Sequence, residues 1–109
     1  MYILVTYVPD SHLEVVKEAI FKAGAGTMGS YDSCCYQSQG TGQFRPLQGS
    51  SPFIGDVGEL AQEREWRLEL VVNDECAAQV VDALLESHPY EVPAYHLIPV
   101  LTLEGLSDE

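Results

Sequence analysis

The chain has 109 residues, of which 17 are acidic and five basic, for a formal net charge of −12. That length supports one ordinary domain core. The negative charge opposes a phosphate backbone or an anionic membrane surface within a Debye length, about 8–10 Å at ordinary salt, and so argues against both as partners. The 46% apolar and 20% charged residues are those of a globular protein, and no segment approaches the roughly 20 apolar residues of a membrane-spanning helix.

Residues 2–8, Tyr-Ile-Leu-Val-Thr-Tyr-Val, are β-prone and broken only by Thr6, which predicts a central strand covered on both faces, or on one face with a contact between copies on the other. No basic n-region or small-residue cleavage site accompanies this run, so it reads as a strand and not as a signal peptide, with the cytoplasm as the default compartment. Pro9 ends it. Ser11-His12-Leu13-Glu14 fits a capping box, and Leu13, Val16, Ala19, Ile20 and Ala23 recur at helical spacing with Glu14, Lys17, Glu18 and Lys22 on the other side.

Gly24, Gly26 and Gly29 match G-x-G-x-x-G, but they follow a helix and precede a strand. That order removes the helix N-terminus which would hold a phosphate, and a helix C-cap with a turn is the expectation. Tyr31–Gln39 alternates weakly and is relatively polar, as for an outer strand. A glycine-rich loop then runs from Gly40 to Gly58 with five of the nine glycines; Phe44, Leu47, Phe53, Ile54 and Val57 within it indicate an anchored loop. Glu63–Val72 places Trp66, Leu68, Leu70 and Val72 on one face of a half-buried antiparallel strand.

Asn73 or Asp74 is expected to cap a second helix whose core face is Ala77, Val80, Val81, Leu84 and Leu85, and Ser87-His88-Pro89 stops it. Ala94–Leu101 is again β-prone, and Pro93 and Pro99, which lack the N–H a central strand needs, place this strand at an edge or give it a bulge. The order β-α-β-β-α-β is an α+β, ferredoxin-like arrangement: two helices on one face of a four-stranded antiparallel sheet, a single domain over residues 1–103 and an acidic tail over 104–109. The other face is left to solvent or to a partner. Trp66 and the tyrosines suit either core or interface.

Three cysteines, Cys34, Cys35 and Cys76, cannot all pair within one chain, and adjacent Cys34 and Cys35 would point to opposite faces of a strand. Reduced thiols are the expectation. A nucleophilic role for Cys34 or Cys35 would need a nearby cation or helix N-terminus, against which Asp32 and the general acidity act. His12, His88 and His96 form no H-x₃-H, H-x-H or C-x₂-C pattern. His12 and His88 therefore read as helix-end residues, with a metal site shared between subunits as the sharper alternative. The loop glycines Gly40, Gly42, Gly55 and Gly58 with Arg45 form a candidate anion site through backbone N–H groups. The plainer role of the same residues is tight turns and packing against a neighbouring subunit.

Two stretches carry a resemblance. Gly40-x-Gly42-x-Phe44-x-Pro46-x-x-Gly49-x-x-Pro52-x-Ile54-Gly55-x-x-Gly58 with Glu63-Arg64-Glu65-x-Arg67-x-Glu69, and His88-Pro89-Tyr90-Glu91-x-Pro93-Ala94-Tyr95, resemble the YqfO family. This is the small domain, alone or inserted, of the NIF-three-like proteins. The resemblance implies a ferredoxin-like domain similar to CutA and PII signalling proteins, both of which assemble as trimers through sheet edges, and a biochemical function that is poorly defined. Larger family members look like dinuclear-metal proteins whose ligands lie in flanking domains, so that site is carried over to no residue here. The expected function is a non-enzymatic oligomeric domain, a trimer, acting by protein association or by sensing a small anionic ligand. The alternative is a CutA-type protein binding a divalent metal between subunits.

Overall fold

The computed structural model describes residues 1–103, and the tail expected over 104–109 lies outside them. Strand β1 is Tyr2–Pro9, helix α1 Leu13–Lys22, β2 Tyr36–Phe44, β3 Ala61–Val72, α2 Ala77–Ser87 and β4 Tyr95–Pro99. The sheet has four strands in the order β2-β3-β1-β4, and every neighbouring pair is antiparallel. This is the ferredoxin-like α+β fold.

Alternation along β1 and β3 sends Leu4, Thr6, Val8, Leu68, Leu70 and Val72 to the helix layer, where all are buried. Leu13, Val16 and Ile20 of α1 and Val80 and Leu84 of α2 complete one cluster with them. Leu85, expected on the core face of α2, is instead 44% exposed; the two helices lie side by side, and the stripe that reaches the sheet is narrow. Buried Thr6 is satisfied because its hydroxyl donates to the Ala94 carbonyl at 2.8 Å, which also ties down the start of β4.

Among the described residues the opposite sheet face carries no helix. Ile3 lies between Val71 of β3 and Ile98 of β4 in the strand register, and Val5 lies between Glu69 and His96. Tyr36, at the start of β2, is 66% exposed. Edge strand β4 pairs with β1 alone, as its flanking prolines require. Beyond it the Val100 N–H donates to the Met1 carbonyl at 3.1 Å, so the first and last described segments run side by side.

Helix α1 ends as the glycines predict. The Ala25 N–H reaches the Ile20 carbonyl and the Gly24 N–H the Phe21 carbonyl, both at 3.0 Å, around Gly24 at φ +113°. That double closure is a Schellman motif, with Ala25 and Ile20 both in the core. Both helix starts differ from expectation. Each is entered through a 3₁₀ turn, Asp10–His12 before α1 and Asp74–Cys76 before α2, and neither has a side-chain cap bond. The Ser11 hydroxyl lies 2.8 Å from His12 Nδ1, and the Asp74 carboxylate takes the N-terminal ammonium.

Strand β2 begins five residues later than expected and includes Gly40 and Gly42. Residues 24–35 are instead folded into turns, with the Gly26 N–H on the Val71 carbonyl at 2.8 Å and the Cys34 N–H on the Gly26 carbonyl at 2.9 Å. Cys34 and Cys35 thus precede the strand. Both are free and half-buried, and both edge one cleft beside Ile3 and Met28, in place of opposite strand faces. The loop proper is residues 45–60. No helix among the described residues is long and apolar enough to cross a membrane.

Candidate functional site

The β2–β3 hairpin extends past the end of β1, since Gly40–Phe44 pair with residues that run from Glu65 back to Ala61, while Pro9 of β1 pairs with Glu65. The loop of residues 45–60 folds from that tip against the α2–β4 connection and the turn before α1. Phe53 meets the His12 ring edge-on at 5.4 Å between centroids and Tyr90 at 6.4 Å, and Phe44 lies 6.0 Å from Tyr90. Buried Pro46 accepts the Gly58 N–H through its carbonyl at 2.8 Å, which closes the loop on itself. The Ser51 N–H donates to Glu91 Oε1 at 2.9 Å, which straps it to the segment after α2. Between these elements lies a cleft of about 360 Å³, walled by Phe44, Pro46, Phe53 and Tyr90 with Arg45 and Glu91 at its polar margin.

His88 holds this end together. It is 5% exposed, and its Nδ1 accepts the Tyr90 N–H at 3.1 Å, which leaves Nε2 to donate to the Tyr7 carbonyl at 2.7 Å. Its ring lies 4.9 Å from that of Tyr90. Burial lowers its pKa from the ordinary value, more than the Tyr7 carbonyl and Glu65 raise it, and His12 lowers it further. The neutral ring is the form this geometry uses. The Tyr90 hydroxyl donates to Glu65 Oε2 at 2.7 Å. Burial first, then that bond and the charges of Glu65 and Glu63, push its pKa upward, so the phenol keeps its proton.

Of the expected anion-site residues only Arg45 lines the aromatic cleft. Gly40 and Gly42 are strand residues across from Glu65 and Glu63. Gly55 sits at φ +94° against the Phe44 ring, and the Gly58 N–H is spent on Pro46. Gly42 has a separate role. A Cβ there would stand 2.1 Å from Glu65 Oε1, so the missing side chain is the space in which the Glu65 carboxylate lies to meet Tyr90. His12 and His88 approach through Phe53 and Tyr90 without joining a ligand set, and His96 is exposed on β4. The described residues bring together no group of three or more His, Cys, Asp or Glu side chains able to hold a metal. The site residues that sequence reasoning missed are Tyr90, Glu65 and the ring cluster; His88-Pro89-Tyr90-Glu91 and the two phenylalanines among glycines were their visible signal.

No family model matches the chain. It is 45% identical over 100 residues to a Halalkalibacterium halodurans protein and 46% identical over 97 residues to one from Bacillus subtilis, each named a GTP cyclohydrolase 1 type 2 homolog. The alignments cover 92% and 89% of this chain but only 27% and 26% of those proteins, so the chain spans about a quarter of their length. Among solved structures it matches a Bacillus cereus protein related to NIF3, with 35% identity and a TM-score of 0.78 over 91% of this chain and 25% of that one. The PII-like protein CutA from Nostoc matches over 99% of this chain and 91% of its own length, with a TM-score of 0.68 and 20% identity, a likeness of fold. Sequence and fold together make this chain a relative of the YqfO, or NIF-three-like, proteins over the quarter of their length that it matches, built on the same plan as CutA.

Proposed function

We propose that this chain is a non-enzymatic domain that assembles with copies of itself, as a homotrimer in the cytoplasm, and senses a small ligand in the cleft beside its long loop. The observation that carries the assembly is the sheet face away from α1 and α2, where Ile3, Val71 and Ile98 stand in one row across three strands. Contiguous apolar surface of this kind on a sheet is what contacts between subunits bury. Free sheet edges at β2 and β4 offer backbone groups for the same association.

The non-enzymatic part rests on how the perturbed groups are used. His88 has both ring nitrogens on backbone partners, and the Tyr90 hydroxyl is held by Glu65, so the groups that would be read as an acid and a base secure the loop. Light scattering on the eluting protein tests the assembly. The expected mass is three times the 12.0 kDa of one chain; a particle that stays at one chain's mass at high micromolar concentration refutes it.

A further inference from the structure

The loop-end cleft has a composition that selects one class of ligand, and the inference rests on the reading that this cleft is the sensing site. Its walls combine three rings, Phe44, Phe53 and Tyr90, with Pro46, Pro52 and the aliphatic Leu47, Ile54 and Val92. Such walls accept a flat apolar body by stacking and edge contacts. The volume of about 360 Å³ is at the small end of the range of about 300–1,000 Å³ for ligand pockets, which suits a naphthalene-sized ring system.

The polar margin is one cation and one carboxylate. Lys17, Arg64 and Arg67 each lie within ion-pair distance of a carboxylate; Lys22 and Arg45 have no such partner among the described residues, and of these two Arg45 borders the cleft. In a chain of net charge −12 an unpaired guanidinium beside an apolar cleft is a place for one negative group. Glu91 has one oxygen engaged by the Ser51 N–H. It opposes a second negative group at the same margin, as does the field of the whole molecule. The Gly58 N–H is bonded to the Pro46 carbonyl and is not open to an anion.

We infer that the cleft binds a planar aromatic or heteroaromatic monoanion, its ring among Phe44, Phe53 and Tyr90 and its charge on Arg45, and that it rejects polyanions such as nucleoside triphosphates.

The test uses the full chain and 1-anilinonaphthalene-8-sulfonate as the probe, with neutral N-phenyl-1-naphthylamine as its match in ring system and ATP as competitor. Fluorescence titration measures affinity, and amide shift changes locate the probe. Expected are saturable binding of the sulfonate with shifts at residues 44–54 and 90–92, affinity about tenfold above that of the neutral amine, and no displacement by ATP. Arg45→Ala should erase that difference and Arg45→Lys should restore part of it. Equal affinity for the two probes, or displacement by ATP, overturns the ligand class while leaving a ligand cleft in place. If neither probe shifts residues 44–54 or 90–92, the sensing reading falls with it.

Discussion

His88 accepts at one nitrogen and donates at the other, an arrangement open only to the neutral ring. Because burial lowers its pKa in the folded chain, the unfolded chain binds the proton first as pH falls below the ordinary value of 6.5. Between that value and the lower folded one the unfolded state holds more protons, so stability is full above pH 6.5 and declines as the solution is acidified. Denaturant midpoints measured in steps from about pH 7.5 to 5 should show this slope. His88→Gln should cost about 1–3 kcal/mol at neutral pH and flatten the slope; an unchanged slope would remove His88 as its source, with Glu65 and His12 the remaining charges that face it. A second expectation concerns Gly42. Its replacement by alanine should drive the Glu65 carboxylate off the Tyr90 hydroxyl, at about 1–2 kcal/mol. The loss should shrink in a Tyr90→Phe background, and a double-mutant cycle reads the difference; simple additivity would refute the linkage. His88 was legible as a helix-end residue because proline follows it. The role of Gly42 was not, because it depends on a neighbour across the strand register, and a one-dimensional pattern does not carry register.

At the scale of elements, hydrophobic spacing located both helices and the alternating strand β3, since burial on one face writes itself into every second or every third to fourth residue. Beginnings fared worse. Ser11 and Asn73 were credible caps, yet both helices start from a 3₁₀ turn that meets the early N–H groups with backbone carbonyls; the Cys76 N–H bonded to the Asn73 carbonyl at 3.2 Å is one such contact. Strand β2 runs past the end its sequence predicts, because Gly40 and Gly42 have the local character of loop residues. Pairing with the long strand β3 overrides that local preference. The turns over residues 24–35 rest on Gly26, which combines φ +78° with a Cβ position 2.5 Å from the Cys34 carbonyl oxygen. Gly26→Ala should therefore lower the midpoint of thermal unfolding by roughly 10 °C, from about 2 kcal/mol of strain and displaced backbone. Gly29→Ala, at φ +56° with open space around it, should cost about half as much. Equal losses from the two would show that crowding against Cys34 plays no part.

The whole molecule is elongated, 51 × 24 × 23 Å, because the β2–β3 hairpin and its loop project beyond the helix-covered part of the sheet. The fold class was legible from element order alone. The helix-free face was legible as an excess of apolar residues in β1, but which of them align across strands became visible only with the register of Ile3 against Val71 and Ile98. Ile3→Glu puts a charge in the middle of that row without touching the helix-side core. It should convert the assembly to single chains while the helical circular dichroism is retained; an assembly that persists with the substitution would place the contact elsewhere.

The hydrogen bond between Val100 and Met1 lies at the end of the sheet where β1 begins and β4 finishes, and the aromatic cleft lies at the other. Met1 and Val100 are thus separated by one strand spacing, about 5 Å. The ring-lined cavity opens at the far end of the sheet, beyond the hairpin tip, where that pairing of first and last segments has no hold on it.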